Sequence, residues 1–171
     1  MPPATPEPAG DARSRVQSVV GVRRVPELLR ASSALPSVHY ADVFTLTTGA
    51  DPGTTPEGWA RAMFGDVPGR GERFIWRGLL GLRLAPGRSS ETVAGWRVAQ
   101  REPDRVRLEA ASWFLACELL VHRGEGQVSL GTFLHYRRRL GRTVWTPLSA
   151  VHRRLAPGLL GDAEARVLAT P

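Results

Sequence analysis

The sequence predicts an α+β domain in which an antiparallel sheet is covered on one side by a helix near the C-terminus. Three observations carry this. Between residues 113 and 137 two runs of alternating polarity, WFLACELLVHR and QVSLGTFLHYR, flank Gly124-Glu125-Gly126, the pattern of a β-hairpin with one apolar face. Before it, ETVAGWRVAQR and RVRLEAAS flank the turn signal Glu102-Pro103-Asp104. After it, GRTVWTPLSAVHRRLAPGLL carries Leu148, Val151 and Leu155 at i, i+3 and i+7, an apolar stripe suited to covering such a sheet.

Taken in order, residues 1–12 are rich in Pro, Ala and charge and are expected to be disordered. A short helix is expected around VPELLRA, with Pro26 in its first turn and Glu27 complementing the helix dipole. Residues 1–35 thus read as a flexible extension with a possible short helix, and residues 39–168 as the folded domain. HYADVFTLTT (39–48) is β-branched and aromatic, a first strand. In TTPEGWARAMFG (54–65), Thr55 can cap, Pro56 suits the first helical position and Gly65 ends the helix. ERFIWRGLLGLRL (72–84) places Phe74, Ile75, Leu79 and Leu82 near helical spacing, so two short helices follow the first strand.

From Thr92 the period becomes two. A three-residue loop at 102–104 pairs Arg97 with Glu109, Val98 with Leu108 and Trp96 with Ala110, setting opposite charges on one face and apolar groups on the other. In the next hairpin a loop at Gly124-Glu125 puts Leu115, Cys117, Leu119 and Val121 on the same face as Val128, Leu130, Thr132, Leu134 and Tyr136. Glu118, His122, Gln127, Ser129 and His135 fall on the opposite face, which reads as wet. In the last helix Thr146 is expected to cap, Pro147 to begin the helix and Pro157 to kink it.

Composition narrows the function classes. The chain of 171 residues fits one domain, and all 23 of its basic residues are Arg. GC-rich coding explains that bias, yet the net charge of +7 still favours anionic surfaces or ligands. Arg without interleaved aromatics or a recognisable motif does not point to nucleic acid. The runs RRRLGR (137–142) and HRR (152–154) read either as one basic patch at the mouth of the domain or as solvated charges. A lone Cys117 excludes an intramolecular disulfide, and the absence of CxxC or paired-His spacing gives no expectation of a metal or cofactor. With no signal-like apolar start and no apolar run of ~18 residues, a cytoplasmic protein without a membrane span is expected. The oligomeric state is open.

In its order of strand, two short helices, antiparallel hairpins and long final helix, the chain resembles the helix-grip fold of the START and polyketide-cyclase (SRPBCC) superfamily over about residues 39–160. The segment WFLACELLV…VSLGTFLHYRR…GRTVW…VHRRLAP…LL also resembles an uncharacterised bacterial family in or near that superfamily. The resemblance implies a sheet wrapped around the C-terminal helix, with a cavity between them. Five strands are countable where that fold usually has seven. Lipid carriers, hormone receptors, cyclases and hydroxylase components share the fold, so the resemblance implies a cavity and not a reaction.

Facing the helix, the expected lining includes Tyr40, Trp96, Leu108, Ala110, Ser112, Leu119, Leu130, Thr132 and Tyr136, with Val151 from the helix itself. Whether these side chains fill the space or leave it hollow stays open. Asp42 is in phase with Tyr40, Phe44 and Leu46, so it points inward, where a carboxylate must pair, hydrogen-bond or shift its pKa. His152 flanks the apolar stripe. Asp42 and His152 are therefore the candidate catalytic pair, with Tyr40 beside them; a structural tie between first strand and helix would look the same. The leading expectation is binding of a small apolar or aromatic molecule. The alternatives are a cyclase- or dehydratase-like enzyme, or a partner-binding protein with a filled core and an apolar outer patch at Phe114 and Phe133.

Overall fold

The computed structural model describes residues 15–50 and 53–169. The expectation for residues 1–12 lies outside the described residues. Seven antiparallel strands form one sheet in the order β1-β2-β7-β6-β5-β4-β3. In chain order the elements are β1 (Val16–Val20), α1 (Glu27–Ala31), β2 (Tyr40–Thr47), α2 (Pro56–Phe64) and α3 (Arg70–Arg73), which runs into a π-helical turn (Phe74–Leu79). Then come β3 (Thr92–Val93), β4 (Trp96–Arg101), β5 (Arg105–Ala111), β6 (Leu115–Gly124), β7 (Gln127–Tyr136) and α4 (Arg139–Leu168). The α+β class, the antiparallel sheet and the closing C-terminal helix are as the sequence predicts, and the layout is consistent with a helix grip.

Among the described residues the strand count is corrected from five to seven. Thr92–Val93 turns back on Trp96 and Arg97 as a separate short strand, through Ala94 and Gly95, both at positive φ. Val16–Val20 pairs with Leu46–Asp42, adding an edge strand before the first one expected. The expected short helix forms as α1.

Both hairpins keep the expected faces and shift their turns. Arg97 pairs with Glu109 and Val98 with Leu108, but the turn holds only Pro103-Asp104, closed by Glu102 N–H donating to the Arg105 carbonyl at 2.8 Å. A bulge between Val98 and Gln100 absorbs the extra residue, so the charge-matched register survives a shorter loop. In the β6–β7 hairpin the loop is Glu125-Gly126, with Gly126 at φ 65°. Moving the loop by one residue shifts the register by two and leaves every side chain on its expected face.

The inner face carries the main core, including Phe44, Leu46, Leu108, Leu115, Val121, Leu130 and Leu134. α2 packs over β5 and β6 with Trp59, Ala60, Met63 and Phe64 buried. Thr55 caps α2 by accepting from Gly58 N at 3.0 Å, as expected.

The outer face is not wet at its centre. Residues 21–38 fold over β2, β7 and β6 and bury Val25 and Leu29 against Ala41, Val43, Leu120 and Phe133. Glu118, expected in solvent, is 2% exposed. Its carboxylate accepts from Arg107 Nη1 at 2.7 Å, Ser33 Oγ at 2.6 Å and Ala34 N at 3.2 Å. Phe114 and Phe133, expected to mark an exposed patch, are 5% and 0% exposed.

The last helix begins earlier than its sequence suggests. α4 runs from Arg139, and both Pro147 and Pro157 lie inside it. Thr146 does not cap; its hydroxyl donates back to the Arg142 carbonyl at 2.7 Å, one turn earlier. The inward side is Trp145, Ser149, His152, Ala156, Leu160 and Ala163, whereas Val151 and Leu155 of the expected stripe are 44% and 59% exposed. No described helix is long and apolar enough to cross a membrane.

Candidate functional site

Between the sheet and α4 lies a cavity of about 410 Å³. Its floor comes from the middle of the sheet, through Trp96, Cys117, Leu119, Leu130 and Thr132. One wall is the π-helical turn with Ile75 and Trp76, and the opposite wall is α4 with Trp145, His152, Ala156 and Leu159. Leu148, Val151 and Leu155, which do not form the buried side of α4, stand at the opening instead. A volume of this size is left between these side chains, with Ala156 the small group among them. The space is therefore hollow, not interdigitated.

Of the residues proposed from sequence, Trp96, Leu119, Leu130, Thr132, Val151 and His152 line this cavity. The others lie elsewhere. Leu108 and Ala110 are core residues on β5, and Leu108 is fully buried. The Ser112 hydroxyl accepts from Leu115 N at 3.2 Å and serves the β5–β6 turn. Tyr136 stacks on His39 with ring centroids 5.2 Å apart. Strand alternation identifies the inner face correctly, but the cavity occupies only its centre, and α2 covers the β5 side. Tyr40 and Asp42 sit behind the lining and reach it through His152.

That arrangement is a buried polar cluster beside the cavity. Asp42 on β2 is fully buried. Its carboxylate accepts a hydrogen bond from the Tyr40 hydroxyl and lies 3.1 Å (Oδ2) and 3.3 Å (Oδ1) from His152 Nε2. Thr132 Oγ1, from the strand position paired with Asp42, is 3.2 Å from the same Nε2. The imidazole is also packed edge-on to Phe44 and tilted against Trp145, with centroids at 5.9 and 5.5 Å. Burial, and then the adjacent Asp42 carboxylate, push the Tyr40 phenol well above its usual range, so it stays a donor. A carboxylate accepts, so in the contact with Asp42 the imidazole Nε2 is the donor.

Other ionisable groups of the lining differ in kind. Glu72 accepts from Gly69 N at 2.6 Å, and its carboxyl is held above the usual range chiefly by burial. Cys117 is fully buried; desolvation, then Glu118 and Asp42, raise its thiol far above the ordinary value. That makes it a poor nucleophile. Among the described residues no group of three or more His, Cys, Asp or Glu converges as a metal site.

Sequence reading missed Trp145, Trp76 and Phe64. Trp145, His152 and Ala156 recur at i, i+7 and i+11, a helical signal that is legible once Pro147 is not taken as the start. Trp76 lies on a π-helical turn, where a 3.6-residue period misplaces side chains.

No curated protein matches the chain. Among solved structures, the crystal structure of CalU16 from Micromonospora echinospora is similar at a TM-score of 0.29 and 10% identity, covering 90% of this chain and 94% of that one. A family described as "Protein of unknown function (DUF2867)" matches residues 34–159. That match runs from before β2 through β7 and across much of α4, well over half of the sequence, and the chain belongs to the DUF2867 family.

Proposed function

We propose that the protein binds one small apolar or aromatic molecule in the cavity between the sheet and α4. The observation that carries this reading is the hollow of about 410 Å³ behind an aliphatic and aromatic wall. Small-molecule sites typically span ~300–1,000 Å³ and combine such walls with few polar groups. Burying each Leu-sized group of a ligand contributes roughly 1.5–3 kcal/mol, so a few suffice for micromolar affinity. Membership near the START and polyketide-cyclase superfamily, and residence in the cytoplasm, belong to the same proposal; seven antiparallel strands closed by a long final helix support the first.

Trp76, Trp96 and Trp145 all line the cavity, so occupancy is readable in intrinsic fluorescence. Titration with naphthalene-type probes is expected to give saturable quenching. Leu119→Trp, which extends a floor side chain into the hollow, is expected to abolish it with circular dichroism unchanged. Unaltered probe affinity in that variant would sink the reading.

The Asp42–His152 pair favours a second reading, acid–base catalysis on the bound molecule of the cyclase or dehydratase kind. A hydrolytic triad needs its carboxylate and its hydroxyl on opposite imidazole nitrogens. Here Asp42 and Thr132 both meet Nε2, so the arrangement suits proton transfer through Nδ1 and not acyl transfer. On this reading His152→Gln keeps probe binding and loses proton exchange at an acidic C–H of a bound bicyclic ketone, followed by NMR in heavy water. Equal exchange in wild type and variant overturns it and leaves the binding reading intact.

A further inference from the structure

A separate feature lies at the corner where the β5–β6 turn meets the start of α4. The Phe114 carbonyl accepts from the backbone N–H groups of Arg137 and Arg138 at 2.9 and 3.1 Å, and Arg137 Nη1 donates to the Ser112 carbonyl at 3.0 Å. The approach is so close that a Cβ on Gly141 would fall 2.9 Å from the Phe114 oxygen. Turn and helix thus make one continuous corner. Two large apolar residues stand out from it: Trp113, 62% exposed, and Leu140, 39% exposed. Arg138, Arg139 and Arg142 are exposed around them and, among the described residues, have no ion-pair partner. Glu109, on the adjoining strand, is already held by Arg97 and Arg107.

The two Arg runs do not merge into one patch. At 1.5 Å per residue along α4, Arg142 and Arg153 are roughly 16 Å apart. His152 turns inward to Asp42, and Arg153 donates to Ser149 Oγ at 3.1 Å. At the corner, charge without an ion-pair partner stands beside exposed apolar groups.

We propose that this corner docks on an anionic phospholipid surface, with Trp113 and Leu140 entering the headgroup layer and Arg138, Arg139 and Arg142 meeting the phosphates. A Trp at the boundary of water and hydrocarbon satisfies its ring and its N–H at once. Anionic leaflets attract clustered Arg by a term that adds with each residue. A second copy of the chain suits the corner poorly, because it brings the same uncompensated positive charge. A nucleic-acid strand suits it less well than a bilayer: stacking calls for a succession of aromatic rings, and beside Trp113 the second projecting group is aliphatic. The proposal does not rest on the cavity.

The test is co-sedimentation of the full chain with vesicles of phosphatidylcholine alone and of phosphatidylcholine with about one-third phosphatidylserine, at low and high salt. Retention is expected on the anionic vesicles only and should weaken steeply with salt. The triple variant R138Q/R139Q/R142Q should lose roughly a hundredfold in affinity, and Trp113→Ala about tenfold, with circular dichroism unchanged. Equal retention on neutral vesicles, no retention at all, tighter binding to a single-stranded oligonucleotide than to vesicles, or a dimer broken by the same variants would each overturn it.

Discussion

Asp42 is where a single side chain constrains most of the interior. A fully buried carboxylate is tolerable only when its lone pairs meet donors, and here the Tyr40 hydroxyl and His152 Nε2 supply them. Asp42→Ala leaves both donors facing a void and is expected to cost about 2–4 kcal/mol in urea unfolding. Tyr40→Phe removes one donor and is expected to cost about 1 kcal/mol. The Tyr40 pKa is raised in the folded chain, so its contribution is complete below the ordinary tyrosine value near 10 and is lost as pH rises towards the folded value. Unfolding measured from neutral to strongly alkaline pH should therefore show a steeper decline for wild type than for Tyr40→Phe. This cluster was legible in the sequence: strand phase places Asp42 with Phe44 and Leu46, and His152 adjoins an apolar helical position. The turn-bound Ser112 was not, because alternation identifies a face and not the extent of the cavity beneath it.

At the scale of elements, α4 shows what local signals read well and what they misread. Thr146-Pro147 has the chemistry of a helix start, and it lies in mid-helix because the chain is already helical from Arg139. What fixes the earlier start is tertiary: Phe114 accepts from Arg137 and Arg138 just before the helix, and Gly141 lets the two backbones close up. Starting more than two turns upstream changes which residues are taken to face the sheet, so Trp145, His152 and Ala156 replace the Leu148 stripe. Two glycines of the same helix then separate packing from propensity. Gly141→Ala adds a Cβ 2.9 Å from the Phe114 oxygen and 3.1 Å from Tyr136 Cδ1, and is expected to destabilise by about 1–3 kcal/mol despite the better helix former. Gly158→Ala meets open space and is expected to stabilise by about 0.5–1 kcal/mol. Thermal unfolding of the pair checks both signs; a shared sign would mean that helix propensity alone governs this helix.

For the molecule as a whole, the centre of the sheet is buried on both faces, and the second cover comes from residues N-terminal to the first strand that the sequence displays plainly. Its signal is faint because it resides in Ala41, Val43, Leu120 and Phe133, which alternate with the more conspicuous Asp42, Phe44, Leu119 and Thr132 of the inner face. Polar neighbours on the same outer face, Ser129 and His135 among them, make that face look solvated. Glu118 is the clasp: it ties the segment carrying Ser33 and Ala34 to Arg107 on β5, and both charged side chains are nearly removed from water. Such a pair contributes little over well-packed apolar groups, but stranding one member is costly. Glu118→Ala leaves the Arg107 guanidinium and the Ser33 hydroxyl short of an acceptor and is expected to cost about 3–5 kcal/mol in urea unfolding. The charge on the exposed β6–β7 turn offers the contrast, since Glu125→Ala is expected to stay within about 0.5 kcal/mol of wild type. Proteolysis adds a spatial readout: loss of the clasp should expose the chain between α1 and β2 to cleavage before the sheet unfolds. If Glu118→Ala instead matches Glu125→Ala in stability and stays uncut there, the outer cover is held by Val25, Leu29 and Phe133 alone.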